Sequence, residues 1–100
     1  MKDRLDVLVC YDVETTTPAG ASRLRRMAKA CSAYGQRVQY STFELNVTPA
    51  LLEKFLQRAL SVMDVKCDSL RVYMLRGARD SYLQTYGRDG WTDFQAPLIV

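Results

Sequence analysis

Leu5–Asp12, LDVLVCYD, is the stretch on which the fold turns. Its centre, Val7–Tyr11, is wholly apolar, and such a run predicts a strand covered on both faces. It ends on an acid, Asp12, followed by Glu14 and three threonines. Thr15–Gly20 is turn-like, with Thr17 placed as a helix cap and Pro18 at the first helical position. A helix then extends to Tyr34, because Leu24, Met27, Ala28, Cys31 and Tyr34 share one face at helical spacing. Gly35 stands where a left-handed cap is expected. Arg23, Arg25, Arg26 and Lys29 lie opposite the apolar stripe, so positive charge concentrates at the helix start.

Further along, Arg37–Val47 (RVQYSTFELNV) is rich in β-formers but too long for one average strand. A bulge or bend near Ser41 and Thr42 is expected to break it. Thr48-Pro49 opens a second helix, with Leu52, Phe55, Leu56, Ala59, Leu60 and Met63 on its apolar side. Ser69–Leu75 reads as another strand, with Leu70, Val72 and Met74 on one side. The order is strand, helix, long or double strand, helix, strand, the βαββαβ pattern that predicts an α+β, ferredoxin-like sandwich with both helices on one face of an antiparallel sheet. The other face of the first strand is also apolar, so self-association into a homodimer is expected to cover it. A short helix is expected within Ala78–Tyr86 and a loop over Gly87–Ala96. An extra C-terminal strand, about residues 97–100 (PLIV), is expected to pack on a partner's sheet edge.

With 100 residues, 48% hydrophobic and 25% charged, the chain reads as a single globular domain over residues 1–100. The Val7–Tyr11 run is far short of the roughly 20 apolar residues that span a bilayer, so no membrane partner is expected. The three cysteines, odd in number and widely spaced, form no CxxC, so zinc and redox motifs are absent. Free thiols and a start that does not read as a secretion signal suggest a cytoplasmic protein. Cys10 and Cys31 read as small buried hydrophobes. There is no histidine. That excludes Ser-His-Asp and Cys-His hydrolases, HExxH zinc sites and nucleases that use histidine as general acid or base. Net charge is only +3, so its distribution matters more than its sum.

Asp12, at the junction of a rigid strand and a loop, suits a magnesium ligand, although a strand-end Asp is more commonly a cap. One carboxylate binds the ion poorly; two brought together by a dimer axis bind it better. The arginines of the first helix match phosphate oxygens, against the plainer reading of a solvated face. The positive charge of Arg23, Arg25, Arg26 and Lys29 at the helix start opposes the macrodipole at a cost of roughly 0.3–1 kcal/mol, which a bound anion offsets. Arg37, Ser41 and Phe43, at odd spacing along one strand, line one surface, or Phe43 is plain core. Tyr11, Tyr40 and Tyr73 offer base stacking, but the RNP-type motif is missing and they read better as sheet formers.

Taken together, Leu8–Val13, Arg23–Lys29, Tyr34–Glu44 (YGQRVQYSTFE), Asp68–Tyr73 and Pro97–Val100 resemble the CRISPR-associated protein 2 family. Thr17-Pro18-Ala19-Gly20 further resembles its type I-C subgroup. The resemblance implies a ferredoxin-like homodimer with a C-terminal strand on the partner. It implies that two copies of Asp12, the catalytic and metal-binding residue, face each other and hold a divalent ion, Mg2+ or Mn2+, in an endonuclease. By position, Tyr11, Arg26 or Arg23, Arg37, Ser41 and Phe43 correspond to residues linked with that activity. Some members cut single-stranded RNA and others duplex DNA. Others bridge two dimers of the integrase, CRISPR-associated protein 1. The leading expectation is therefore a magnesium-dependent phosphodiesterase. In it, Tyr11, Arg23, Arg25, Arg26, Lys29, Arg37, Ser41 and Phe43 contact nucleic acid. The alternative is a non-catalytic DNA-binding adaptor between integrase dimers.

Overall fold

In the computed structural model, which describes residues 4–77 and 79–88, the LDVLVCYD run is strand β1 (Leu5–Asp12). It is followed by α1 (Pro18–Tyr34), β2 (Gly35–Gln39), β3 (Thr42–Val47), α2 (Pro49–Val62), β4 (Ser69–Leu75) and the short α3 (Arg79–Tyr82). The described strands form one antiparallel sheet in the order β2-β3-β1-β4. β1 is thus a central strand, and α1 and α2 pack on one face: the ferredoxin-like arrangement of βαββαβ. The proposed terminal strand at 97–100 lies outside the described residues.

Both helix starts follow their sequence signals. The Thr17 hydroxyl accepts from the Gly20 amide at 3.1 Å and Thr48 from Leu51 at 3.2 Å, each with a proline in the first turn. Alternation along the strands sends Val7, Val9 and Tyr11 of β1 and Phe43, Leu45 and Val47 of β3 under the helices. Met27, Ala30 and Cys31 of α1 and Phe55 and Ala59 of α2 close the core. Tyr34 meets Phe55 edge-on at 5.7 Å. Leu70 and Val72 of β4 pack against the same core. Burial of a side chain such as Phe43 or Phe55 stabilises the fold by roughly 1.5–3 kcal/mol.

One open reading is settled, one expectation is corrected and one is borne out. First, Arg37–Val47 belongs to a hairpin. β2 and β3 are joined by a turn at Tyr40 and Ser41, and the register slips between Arg37 and Gln39. Strand polarity brings Arg37 opposite Phe43, so Arg37, Ser41 and Phe43 do not follow one another along a strand. Second, Gly35 is extended, with φ −159° and ψ −165°, and is no left-handed cap. Glycine is needed there for closeness: a Cβ would stand 2.5 Å from the Glu44 carbonyl oxygen. Third, the helices cover only one face of β1. Leu8 and Cys10 point to the other and are only half-buried, because no described element covers this face.

Candidate functional site

The open face of the sheet is set by register. Asp6, Leu8, Cys10 and Asp12 of β1 lie opposite Leu75, Tyr73, Arg71 and Ser69 of β4. On the other side, Thr42, Glu44 and Asn46 of β3 lie opposite Cys10, Leu8 and Asp6. Arg71 donates to the Tyr73 hydroxyl at 3.1 Å, and Asn46 to Asp6 at 2.8 Å. Asp12, at the end of this row, is exposed. Its carboxylate has no side-chain hydrogen bond or ion pair among the described residues, so it is not used as a cap.

Asp12 ends a strand tied to the hairpin. The Tyr11 amide donates to the Ser41 carbonyl at 3.0 Å. An open groove of about 690 Å³ follows the hairpin, lined by Arg37, Val38, Gln39, Tyr40, Ser41 and Thr42. Arg37 and Ser41 thus share a surface, as expected. Phe43 does not join them: it is fully buried, with the Arg37 guanidinium 5.2 Å from its ring centroid. Tyr11 is also interior, its ring centre 6.1 Å from that of Phe43 in a stacked pair. Its hydroxyl is buried without a hydrogen-bond partner among the described residues. Contact with nucleic acid through Phe43 and Tyr11 is therefore replaced by packing beneath Arg37. The three tyrosines considered for base stacking are also dispersed. Tyr11 is under the helices, Tyr73 is on the open face and Tyr40, 92% exposed, is at the hairpin turn.

The basic residues of α1 divide into two groups. Arg25, Arg26 and Lys29 are exposed and unpaired among the described residues, on the helix side away from Met27, Ala30 and Cys31. This places them on the outside of the helical layer, whereas Asp12 is on the uncovered side of the sheet. Arg23 instead turns inward. Its Nε donates to Asp68 Oδ2 at 2.8 Å and its Nη2 to Asp68 Oδ1 at 3.4 Å. The anion that offsets positive charge at the helix start is thus a side chain of this chain, and the expectation of a phosphate contact at Arg23 is corrected.

Sequence reasoning did not single out Asp68. Its carboxylate is fully buried and also accepts from the amides of Glu14 at 3.0 Å and Asp64 at 2.9 Å. The Arg23 guanidinium holds it well below the usual carboxylate range, helped by those amides and opposed by burial. The one sequence signal was indirect: an arginine near a helix N-terminus needs an anion. Cys31 is sealed in the core, where burial pushes its thiol up to about 12 and leaves it inert.

No group of three His, Cys, Asp or Glu side chains able to hold a metal occurs among the described residues. Among the described residues, Asp12 thus offers a carboxylate with no second acidic ligand clustered beside it. A hard oxygen donor of this kind fits magnesium, which keeps several waters, as one ligand of a site that a second copy would complete.

The sheet order, the one-sided helical cover and the free acid ending a central strand define a small ferredoxin-like α+β protein with a strand-end carboxylate. Residues 6–82 match the family described as CRISPR associated protein Cas2. The chain is 47% identical to CRISPR-associated endoribonuclease Cas2 1 of Moorella thermoacetica, over 94% of this chain and 98% of the relative. It is 49% identical to CRISPR-associated endoribonuclease Cas2 of Chlorobaculum tepidum, with the same coverage of both chains. The crystal structure of Streptococcus pyogenes Cas2 superposes with a TM-score of 0.74 and 49% identity, over 82% of this chain and 99% of that one. The chain belongs to the Cas2 family. No described helix is long and apolar enough to cross a membrane.

Proposed function

We propose that the protein is a magnesium-dependent endonuclease of CRISPR adaptation that works as a homodimer, with RNA as its leading substrate. The observation that carries this reading is the free Asp12 carboxylate, exposed at the end of β1. The half-buried Leu8 and Cys10 and the 43%-exposed Tyr73 share its face and favour a second copy there. Across a two-fold axis the two copies of Asp12 would supply the acidic ligands of one ion. Magnesium, or manganese in its place, would activate a water and polarise the scissile phosphate. Arg37 and Ser41 bind backbone in the hairpin groove, contacts that position a strand and carry little sequence information. Histidine is not required. The endoribonuclease names of the two relatives favour RNA over duplex DNA. A cleavage panel over single- and double-stranded RNA and DNA, with magnesium, manganese or chelator, tests this reading. Metal-dependent cutting of single-stranded RNA is expected, and equal cutting in chelator refutes it.

A second reading, a DNA-binding adaptor for the CRISPR integrase, CRISPR-associated protein 1, is favoured by one observation. The cations Arg25, Arg26 and Lys29 lie on the outside of the helical layer, away from Asp12. They suit a backbone-binding platform rather than the cutting site. The roles separate in cells: Asp12→Ala should then still permit spacer acquisition, while charge reversal at Arg25, Arg26 or Lys29 abolishes it.

A further inference from the structure

Asp68 joins three segments through one buried carboxylate: Glu14 after β1, Arg23 on α1 and Asp64 between α2 and β4. Two of its connections flank Asp12. Along the chain, the tethered Glu14 amide comes two residues after Asp12. Across the sheet, the partner of Asp12 is Ser69, the neighbour of Asp68. The Glu14 segment also lies directly on α1, because a Cβ at Gly20 would collide with the Glu14 carbonyl oxygen. The loop that follows the carboxylate is thus held by Asp68 from one side and supported by α1 from another. Arg23 supplies the charge and the two-pronged contact that keep Asp68 in place.

We propose that the Arg23–Asp68 pair is a positioning device for Asp12, fixing the path by which the chain leaves β1 and hence where the Asp12 carboxylate stands for magnesium. The inference rests on the nuclease reading of Asp12. Arg23 and Asp68 act through the backbone and do not touch the substrate. A held carboxylate can meet its counterpart across a dimer seam, whereas a loosened one spreads over orientations that do not share an ion.

The test compares the full chain with Asp68→Asn, Arg23→Met and Arg23→Lys. Backbone amide NMR gives exchange at Glu14 and the magnesium dependence of the Asp12 signal; RNA cleavage gives kcat and KM. In folded Asp68→Asn and Arg23→Met, Glu14 exchange should quicken about tenfold and half-saturating magnesium rise about tenfold. On RNA, kcat should fall about tenfold with KM nearly unchanged, and Arg23→Lys should recover part of the loss. Unchanged Glu14 exchange or unchanged magnesium response in a folded neutral variant overturns the inference alone. If both neutral variants unfold, Arg23→Lys decides by the same measurements: an intermediate shift supports the inference and wild-type values overturn it. A wild-type protein with no magnesium response at Asp12 overturns the nuclease reading, and the inference with it.

Discussion

Replacing Phe43 with alanine separates a buried platform from a surface contact. The ring is fully buried, stacks on Tyr11 and lies beneath the Arg37 guanidinium. Truncating a buried Phe costs about 3–5 kcal/mol, and removal of the Tyr11 stack and the Arg37 cation–π pair places this one toward the upper end. A domain of this length has only about 5–15 kcal/mol to lose, so Phe43→Ala should be barely stable at room temperature. With a urea slope of about 1.5 kcal/mol per molar, the unfolding midpoint should fall by roughly 2–3 M at fixed chain concentration. Phe43→Leu retains most of the volume and should lose about 1–2 kcal/mol. When folded, Phe43→Leu should bind single-stranded RNA within about threefold of wild type, less than about 1 kcal/mol. Urea denaturation followed by circular dichroism, with binding measured by fluorescence anisotropy, checks both outcomes. A Phe43→Ala cost below about 1 kcal/mol contradicts core packing. An RNA affinity weakened beyond about tenfold in folded Phe43→Leu contradicts the absence of direct contact.

Other outcomes follow from the same geometry. Arg26→Glu leaves stability nearly unchanged but weakens duplex binding, and it lowers the slope of log affinity against log salt by about 1 for each phosphate that is no longer neutralised. The folded form holds Asp68 below its ordinary value of 3.8, so its stabilisation is fully present above that value and is lost as pH falls further. Acid unfolding from about pH 4 downward should therefore be steeper in wild type than in Asp68→Asn, as followed by circular dichroism. Leu8→Lys places a charge on the face that no described element covers and should yield a folded monomer in analytical ultracentrifugation, where wild type should sediment as a dimer.

Local signals carry most of the fold. The Thr17-Pro18 and Thr48-Pro49 pairs mark both helix starts, and apolar spacing identifies the core faces that Met27, Cys31, Phe55 and Ala59 occupy. Composition alone did not settle the hairpin turn, because Tyr40-Ser41 lacks the Asn-Gly or Asp-Gly signature. The turn reverses Phe43 against Arg37, so a reading along one strand could not find their pairing. The side of the sheet on which Leu8 and Cys10 fall was also hidden, since a continuous apolar run does not reveal which face the helices cover. Asp12 was legible as an acid at the end of a rigid strand. Asp68 was not, because Arg23 and Glu14, the partners that tie it to the site, are 45 and 54 residues away in sequence. Arg23 was misleading because sequence order puts it among cations, although its i+4 and i+7 spacing to the buried Met27 and Ala30 puts it on the inner face of α1, where the tertiary fold supplies its anion.

Cleavage of single-stranded RNA by wild type and Asp12→Ala, measured together with magnesium and with chelator, bears most directly on the strand-end acid. The side chain is exposed and unpaired among the described residues, so the variant should match wild type in unfolding midpoint and oligomeric state. Its magnesium-dependent rate should be lower by about 100-fold or more, at the residual level of wild type in chelator. Undiminished cutting by rigorously purified, folded Asp12→Ala would contradict the assignment and leave the basic outer face of α1 as the functional surface.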